Sequence, residues 1–153
     1  MQQPTLSSNY PANNFSSAKA LNIVIWLNRL ALALVFIWFG YLKVIHVSPA
    51  EGLVQHLHNV TIVHYIPINV FITLLGMIEV AVGILWLFPK LTKLAFLCFI
   101  AHMFTTFLPL FFLPGDTWQH AFVLTLTGQY IVKNVVLIAS AVTIWFIKSS
   151  SLA

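Results

Sequence analysis

Four long apolar runs constrain this chain more than any other feature of its sequence. They cover about residues 21–45, 67–88, 91–113 and 121–147. A helix needs about 20 apolar residues to cross roughly 30 Å of hydrocarbon, whereas a membrane β-barrel shows many short alternating segments. Only 7% of the residues are charged, which is too few to cover a water-exposed surface. The sequence therefore predicts an all-α integral membrane protein, with a four-helix bundle in residues 19–148 and the lipid bilayer as its surroundings.

The lysines indicate how the bundle is oriented. Lys19 precedes the first run, Lys90 and Lys93 bound the connection between the second and third runs, and Lys148 follows the fourth. Because cytoplasmic loops carry the excess of lysine and arginine, we expect both termini in the cytoplasm and a multi-pass protein of the inner (plasma) membrane. Residues 1–18 contain no charged side chain and no signal-peptide pattern, and we expect a disordered tail there.

The loop at residues 46–66 is the one long connection between runs. Ser48-Pro49-Ala50-Glu51 has the form of a capping box with proline at the first helical position, a pattern typical of a helix start. Leucine and valine then recur at helical spacing. We therefore expect a short amphipathic helix on the outer face of the membrane.

Several partners and cofactors are excluded or disfavoured. Nucleic acid would need a dense basic stripe, and the sequence has none. Cys98 is the single cysteine, so the chain alone supports no dithiol chemistry. His64 and His120 flank different runs at a similar outer level and are weak candidates for a metal or haem site. Interfacial histidines without a ligand are far more common, so we expect no metal and no haem.

Ionisable residues inside the runs are the most informative feature for function. Glu79, His102 and Lys133 fall near the middle of the second, third and fourth runs, at one predicted depth. Arg29 lies a few residues to the cytoplasmic side of that level, and Lys43 near the outer end of the first run. Each such group costs about 2.5–3.5 kcal/mol at membrane depth. We therefore expect these side chains to face the interior of the bundle.

Helical angles of about 100° per residue give every run one polar stripe, and the stripes can be satisfied together if they face a common interior. In the second run, Gly76 and Gly83 flank Glu79 and would allow close helix approach; in the fourth, Gln129 and Lys133 share the stripe. Three interpretations stay open. A Glu79–Lys133 pair fixes packing only, the polar groups form a pocket for a small ligand or quinone head group, or they conduct protons or ions.

Three stretches resemble a known family. The first run ends in FIWFGYLK at residues 36–43, the second contains GMIEVAVG at 76–83, and the fourth contains GQYIVKNVVL at 128–137. In order and spacing they resemble the DoxX-like family of four-span membrane proteins, particularly the YkgB-type branch that includes reactive-chlorine-resistance proteins. The branch usually has Gly-Arg where this chain has Gly128-Gln129. The resemblance carries over Gly40, Lys43, Gly76, Glu79, Gly83, Lys133 and Asn134.

What the resemblance implies is a redox role. The family name comes from a subunit of a membrane thiosulfate:quinone oxidoreductase, and other members are linked to oxidative-stress complexes. We expect an accessory or quinone-interacting subunit in redox or oxidant-stress defence, with redox subunits or a second copy of the chain as partners. Lys133 and His102 would hydrogen-bond a quinone carbonyl, Glu79 would share a proton, and Arg29 would set the local potential. The alternatives are a structural protein with a packing-only polar seam and, ranked last, a small transporter.

Overall fold

The computed structural model describes residues 14–61 and 65–150 of the chain. Its helices and strands follow the order α1 (Asn14–Val44), α2 (Glu51–Val60), α3 (Ile68–Trp86), a 3₁₀ turn (Pro89–Leu91), α4 (Thr92–Phe107), α5 (Pro109–Phe112), α6 (Pro114–Thr117), β1 (Trp118–His120), β2 (Val123–Leu124), α7 (Leu126–Val132) and α8 (Asn134–Ser150).

Within these ranges four helical spans are long and apolar enough to cross a membrane: Ala18–Val44, Ile68–Trp86, Pro89–Phe112 and Leu126–Lys148. The predicted all-α membrane bundle is confirmed. Two spans contain a short break in their hydrogen bonding. Leu108, before Pro109, and Lys133, between α7 and α8, both keep helical backbone angles, so each span continues in one direction through its break.

Two boundaries differ from the sequence-based expectation. α1 begins at Asn14, so residues 14–18 of the expected tail are helical, while residues 1–13 of that tail lie outside the described residues. The fourth span begins at Leu126 and not near residue 121, because β1 and β2 form an antiparallel hairpin immediately before it. Phe122 turns the hairpin with a φ of 61°. The Thr125 hydroxyl then accepts the Gly128 N–H at 3.1 Å and caps α7.

The four spans form a ring in which α1 packs against α3 and α8, and α4 packs against the same two helices. Aromatic side chains fill the centre. The Phe99 ring lies 5.4 Å from the ring of Phe36 and 5.9 Å, edge to face, from that of Trp86. Such pairs add to the stability given by burial alone. The other buried residues of this core include Leu32, Val82, Ala95, Met103, Ala141 and Ile144.

Glycines allow the backbones of α1 and α3 to touch. A Cβ atom added to Gly40 would lie 2.6 Å from the Gly76 carbonyl oxygen, and one added to Gly76 would lie 2.6 Å from the Gly40 carbonyl oxygen. About two turns further along α3, a Cβ on Gly83 would lie 2.7 Å from Ile37. Lipid tails are as apolar as leucine, so helix association in a membrane depends on this kind of close packing. The α1–α3 contact therefore fixes the register of the two helices.

α2, α6 and the β hairpin form a small cap on one end of the bundle, which we call the loop end. The opposite end, near Thr92 and Lys148, we call the terminal end. α2 packs against α3 and α5. As in a capping box, the Ser48 N–H donates to the Glu51 carboxylate at 3.2 Å, but the Ser48 hydroxyl accepts from Ala50 instead. An imidazole–carboxylate contact of 2.8 Å, between His56 and Asp116, joins α2 to α6.

A glycine exchange tests the α1–α3 contact. Gly76→Ala places a methyl group against backbone that cannot rotate away, so we expect it to lower the free energy of unfolding in detergent by roughly 3 kcal/mol, near the top of the overpacking range. Gly52→Ala is the control, since nothing lies within 4 Å of a Cβ at that position of α2, and it should leave stability unchanged or raise it. Equal stability of the two variants would contradict the close approach.

Candidate functional site

A buried carboxylate between two basic side chains is the main polar feature of the bundle interior. Glu79 on α3 is only 7% exposed. Its Oε2 atom lies 2.6 Å from Lys43 Nζ on α1, and its Oε1 atom lies 3.1 Å from His102 Nε2 on α4. We call these three residues the Lys43–Glu79–His102 network. Both carboxylate oxygens are paired, and each partner comes from a different membrane-spanning helix.

The glycine contact explains how Lys43 reaches the carboxylate. A Cβ atom on Gly76 would lie 2.9 Å from Lys43 Cβ, so the lysine stem starts beside Gly76, which is one turn from Glu79 on α3. The lysine side chain is long enough to cover that turn, and it is 6% exposed. On the other side, the His102 ring is held edge-on against Phe36 at 5.4 Å.

The charges of the network balance each other. A lysine ammonium and a glutamate carboxylate are together neutral, and a neutral imidazole can donate its Nε2–H to the second carboxylate oxygen. Isolated charges in the interior would cost several kcal/mol each, and that cost is offset by a partner with good geometry. The same arrangement can accept one more proton on His102 or on Glu79, so it is chemically suited to holding or passing a proton.

Lys133 does not join this network. Its side chain is exposed, and its Nζ lies 4.3 Å from the centroid of the Tyr130 ring, in a cation–π contact. The predicted Glu79–Lys133 pair is therefore wrong. Equal depth along the apolar runs does not make two side chains meet, because the glycine contacts set the register of α1 against α3. That register brings Lys43, and not Lys133, to the carboxylate.

The polar stripe predicted for the fourth run does not face the interior at Gln129 or Lys133. Gln129 is exposed, and its Nε2 makes a long 3.5 Å contact with the Leu124 carbonyl. The buried residues of α7 are Gly128 and Ile131, because Gly128 packs directly against the Thr117 carbonyl oxygen. At 100° per residue this contact turns the polar stripe outward. Asn134 is half-buried at the start of α8.

Arg29 forms a second, separate polar cluster at the terminal end. It is 2% exposed, its Nη1 donates to the Trp86 carbonyl at 3.1 Å, and its Nη2 donates to Thr92 Oγ1 at 2.6 Å. Arg29 and Lys43 are about four helical turns apart, or roughly 21 Å. The sequence identified Arg29 as an interior residue but gave no signal for its partners, because one is a backbone carbonyl and the other an ordinary threonine.

An open, mostly apolar groove at the loop end was missed by the sequence reasoning. Its volume is about 260 Å³, and its lining consists of His46, Asn69, Val70, Thr73 and Leu74. His46 Nε2 lies 3.0 Å from Thr73 Oγ1. His46 lies two residues past the end of α1 and has a φ of 55°. The Val47 N–H bonds to the Leu42 carbonyl at 3.0 Å across this residue, which is the hydrogen-bond pattern of an ordinary helix C-cap.

The weak metal candidates do not form a site in the part of the chain that the structure covers. His64 lies outside the described residues, and His120 is exposed in the β hairpin. Among the described residues no group of three or more histidine, cysteine, aspartate or glutamate side chains is arranged to hold a metal ion.

The two lysines give a matched test of the network. Lys43→Met leaves Glu79 buried without its closest partner, so we expect it to lower the free energy of unfolding by about 3–5 kcal/mol. Lys133→Met removes an exposed lysine and should change stability by less than about 1 kcal/mol. Unfolding of both variants in the same detergent measures the difference. A larger loss for Lys133→Met would mean that the wrong lysine has been assigned to Glu79.

Comparison with known proteins identifies the family. Residues 21–113, more than half of the chain, match the family model of Methylamine utilisation protein MauE, a multi-span membrane family. The chain shows no match to the DoxX-like family or its YkgB-type branch, so the resemblance read from the short motifs is wrong. No match emerges from the curated proteins or from the solved structures. The matched segment contains Arg29 and the whole Lys43–Glu79–His102 network, and the chain belongs to the MauE family of multi-pass membrane proteins.

Proposed function

We propose that this chain is an accessory protein of a membrane redox system, in which the Lys43–Glu79–His102 network exchanges a proton with a quinone bound at the loop end. The observation that carries the proposal is the carboxylate of Glu79, held by a lysine and a histidine from two other helices and nearly sealed from the surroundings. Ionisable groups at membrane depth are expensive and tend to be functional.

The groove at the loop end has the chemistry that a quinone head group requires. His46 and Thr73 offer hydrogen-bonding groups for a ring carbonyl, while Val70 and Leu74 supply apolar walls. His46 follows Lys43 by three residues in the chain, and none of the three network residues lines the groove. Reduction of a quinone to a quinol consumes two electrons and two protons. The electrons would come from a partner redox protein, and the network would replace protons that His46 delivers.

The family and the charge distribution support a role beside an enzyme. The family description names methylamine utilisation. An accessory protein in a system that oxidises an amine would agree with that description and would have a use for a proton-holding site. The lysine distribution supports an inner (plasma) membrane location with both termini cytoplasmic. The partners implied are redox subunits of that system.

Infrared difference spectroscopy tests the proton exchange. Reduction of a short-chain ubiquinone in liposomes containing the purified protein should change the protonation of the network and give a carboxyl difference band that disappears in Glu79→Gln. His46→Ala should weaken binding of the same quinone by roughly tenfold, the equivalent of one hydrogen bond. Lys133→Met is the control and should retain both signals. If the wild-type protein binds no quinone and shows no carboxyl band, the redox proposal fails.

A second candidate is a structural protein whose polar network only fixes helix packing. One observation favours it: both oxygens of Glu79 already have partners, and Glu79 is not among the residues that line the groove. In that case the double variant Lys43→Met/Glu79→Leu, which replaces the pair by apolar groups, should recover much of the stability lost in Lys43→Met. It should also support the redox system in cells as well as the wild type does.

A further inference from the structure

Arg29 is a buried cation, and no carboxylate of the residues that the structure describes pairs with it. Its guanidinium is almost inaccessible, and it donates hydrogen bonds to the neutral oxygens of Trp86 and Thr92. The sequence has three acidic side chains, and the structure describes all of them. They are engaged elsewhere, in the buried network or in the loop-end cap: Glu51, Glu79 and Asp116.

A second cation reaches the same threonine. Lys148 Nζ lies 3.3 Å from Thr92 Oγ1, the oxygen that also accepts from Arg29. The Thr92 hydroxyl donates its own proton to the Pro89 carbonyl at 2.7 Å, so its oxygen acts only as an acceptor for the two cations. The like charges of a guanidinium and an ammonium that converge on one neutral oxygen give a repulsion between the two side chains. A bound anion would remove it.

The position of this cluster matches the level of lipid head groups. α3 ends at Trp86, α4 begins at Thr92, and the fourth span ends at Lys148, so three spans stop at the depth of Arg29. Exposed Lys90 and Lys93 lie on the connection beside it. The lysine distribution predicts that this terminal end faces the cytoplasm. Basic pockets between helices on that side of a membrane are suited to anionic head groups.

We propose that Arg29, Lys148 and Thr92 form an anion site at the terminal end of the bundle that takes a phosphate group. Arg29 supplies the buried charge and a planar array of N–H donors, a geometry well suited to phosphate oxygens. Lys148 supplies the second charge from the less buried side, and Thr92 holds the two cations together. The phosphate belongs either to an anionic phospholipid of the adjacent leaflet or to free inorganic phosphate.

Lipid titration of the purified full chain, followed by native mass spectrometry, tests the site. The wild type should bind phosphatidylglycerol at least about fivefold more tightly than phosphatidylcholine, and Lys148→Gln should lose roughly that factor, the contribution of one cation near a membrane surface. Lys93→Gln is the control, because it removes an exposed lysine at the same end. Arg29→Gln removes a buried side chain and risks misfolding, so Lys148→Gln is the deciding variant.

The source of the phosphate is read from a thermal shift with inorganic phosphate in detergent without phosphatidylglycerol. A shift that Lys148→Gln abolishes supports the site with free phosphate as a ligand, whereas no shift together with lipid preference assigns it to a phospholipid. No lipid preference and no phosphate shift would overturn the site, and so would an equal loss of lipid binding in Lys93→Gln. Glu79→Gln should bind phosphatidylglycerol like the wild type, which separates this outcome from that of the redox proposal.

Discussion

The backbone contact between α1 and α3 is the interaction on which the rest of this structure depends. At Gly40 and Gly76 the two helices approach so closely that a Cβ atom added to either glycine would lie 2.6 Å from the carbonyl oxygen of the other. In lipid, apolar side chains gain little by leaving the hydrocarbon, so van der Waals contact of this quality is a main source of helix association. The contact also sets which residues of the two helices share a level, and the pairing of Lys43 with Glu79 follows from that level.

The two buried cations of α1 show two ways of tolerating charge in a membrane. Lys43 is neutralised inside the bundle by Glu79, and His102 completes the carboxylate. Among the described residues, the hydrogen-bond partners of Arg29 are neutral oxygens, and Arg29 lies where three of the four spans end. A charge deep in the bundle needs an internal partner, because no water or head group reaches it. A charge at the membrane boundary can take its partner from outside the protein. Lys43 is an example of the first case and Arg29 of the second.

The sequence was sufficient to predict the fold and to identify part of the site. Uninterrupted apolar runs permit little besides membrane helices, and the cost of burying charge brings Glu79 and His102 inward whatever the details of packing. It could not identify the partner of Glu79, because depth counted along a run ignores where neighbouring helices cross. Lys133 has the predicted depth but lies on the exposed side of its helix. The hairpin before α7 determines which side is exposed, and it has no strong sequence signal.

The incorrect family assignment has the same physical origin. The motifs that resembled the DoxX-like family are glycines at helical spacing around a carboxylate and a lysine, and any bundle that brings two helices into contact beside a buried charge favours this pattern. The match to the MauE family instead extends over 93 residues from 21 to 113 and stops before the fourth span. The segment it covers includes α1, α3 and α4, which supply every member of the Lys43–Glu79–His102 network. The fourth span contributes Ala141 and Ile144 to the core and Lys148 to the terminal cluster. The fourth span therefore completes the ring of helices, whereas the polar network is formed by the other three.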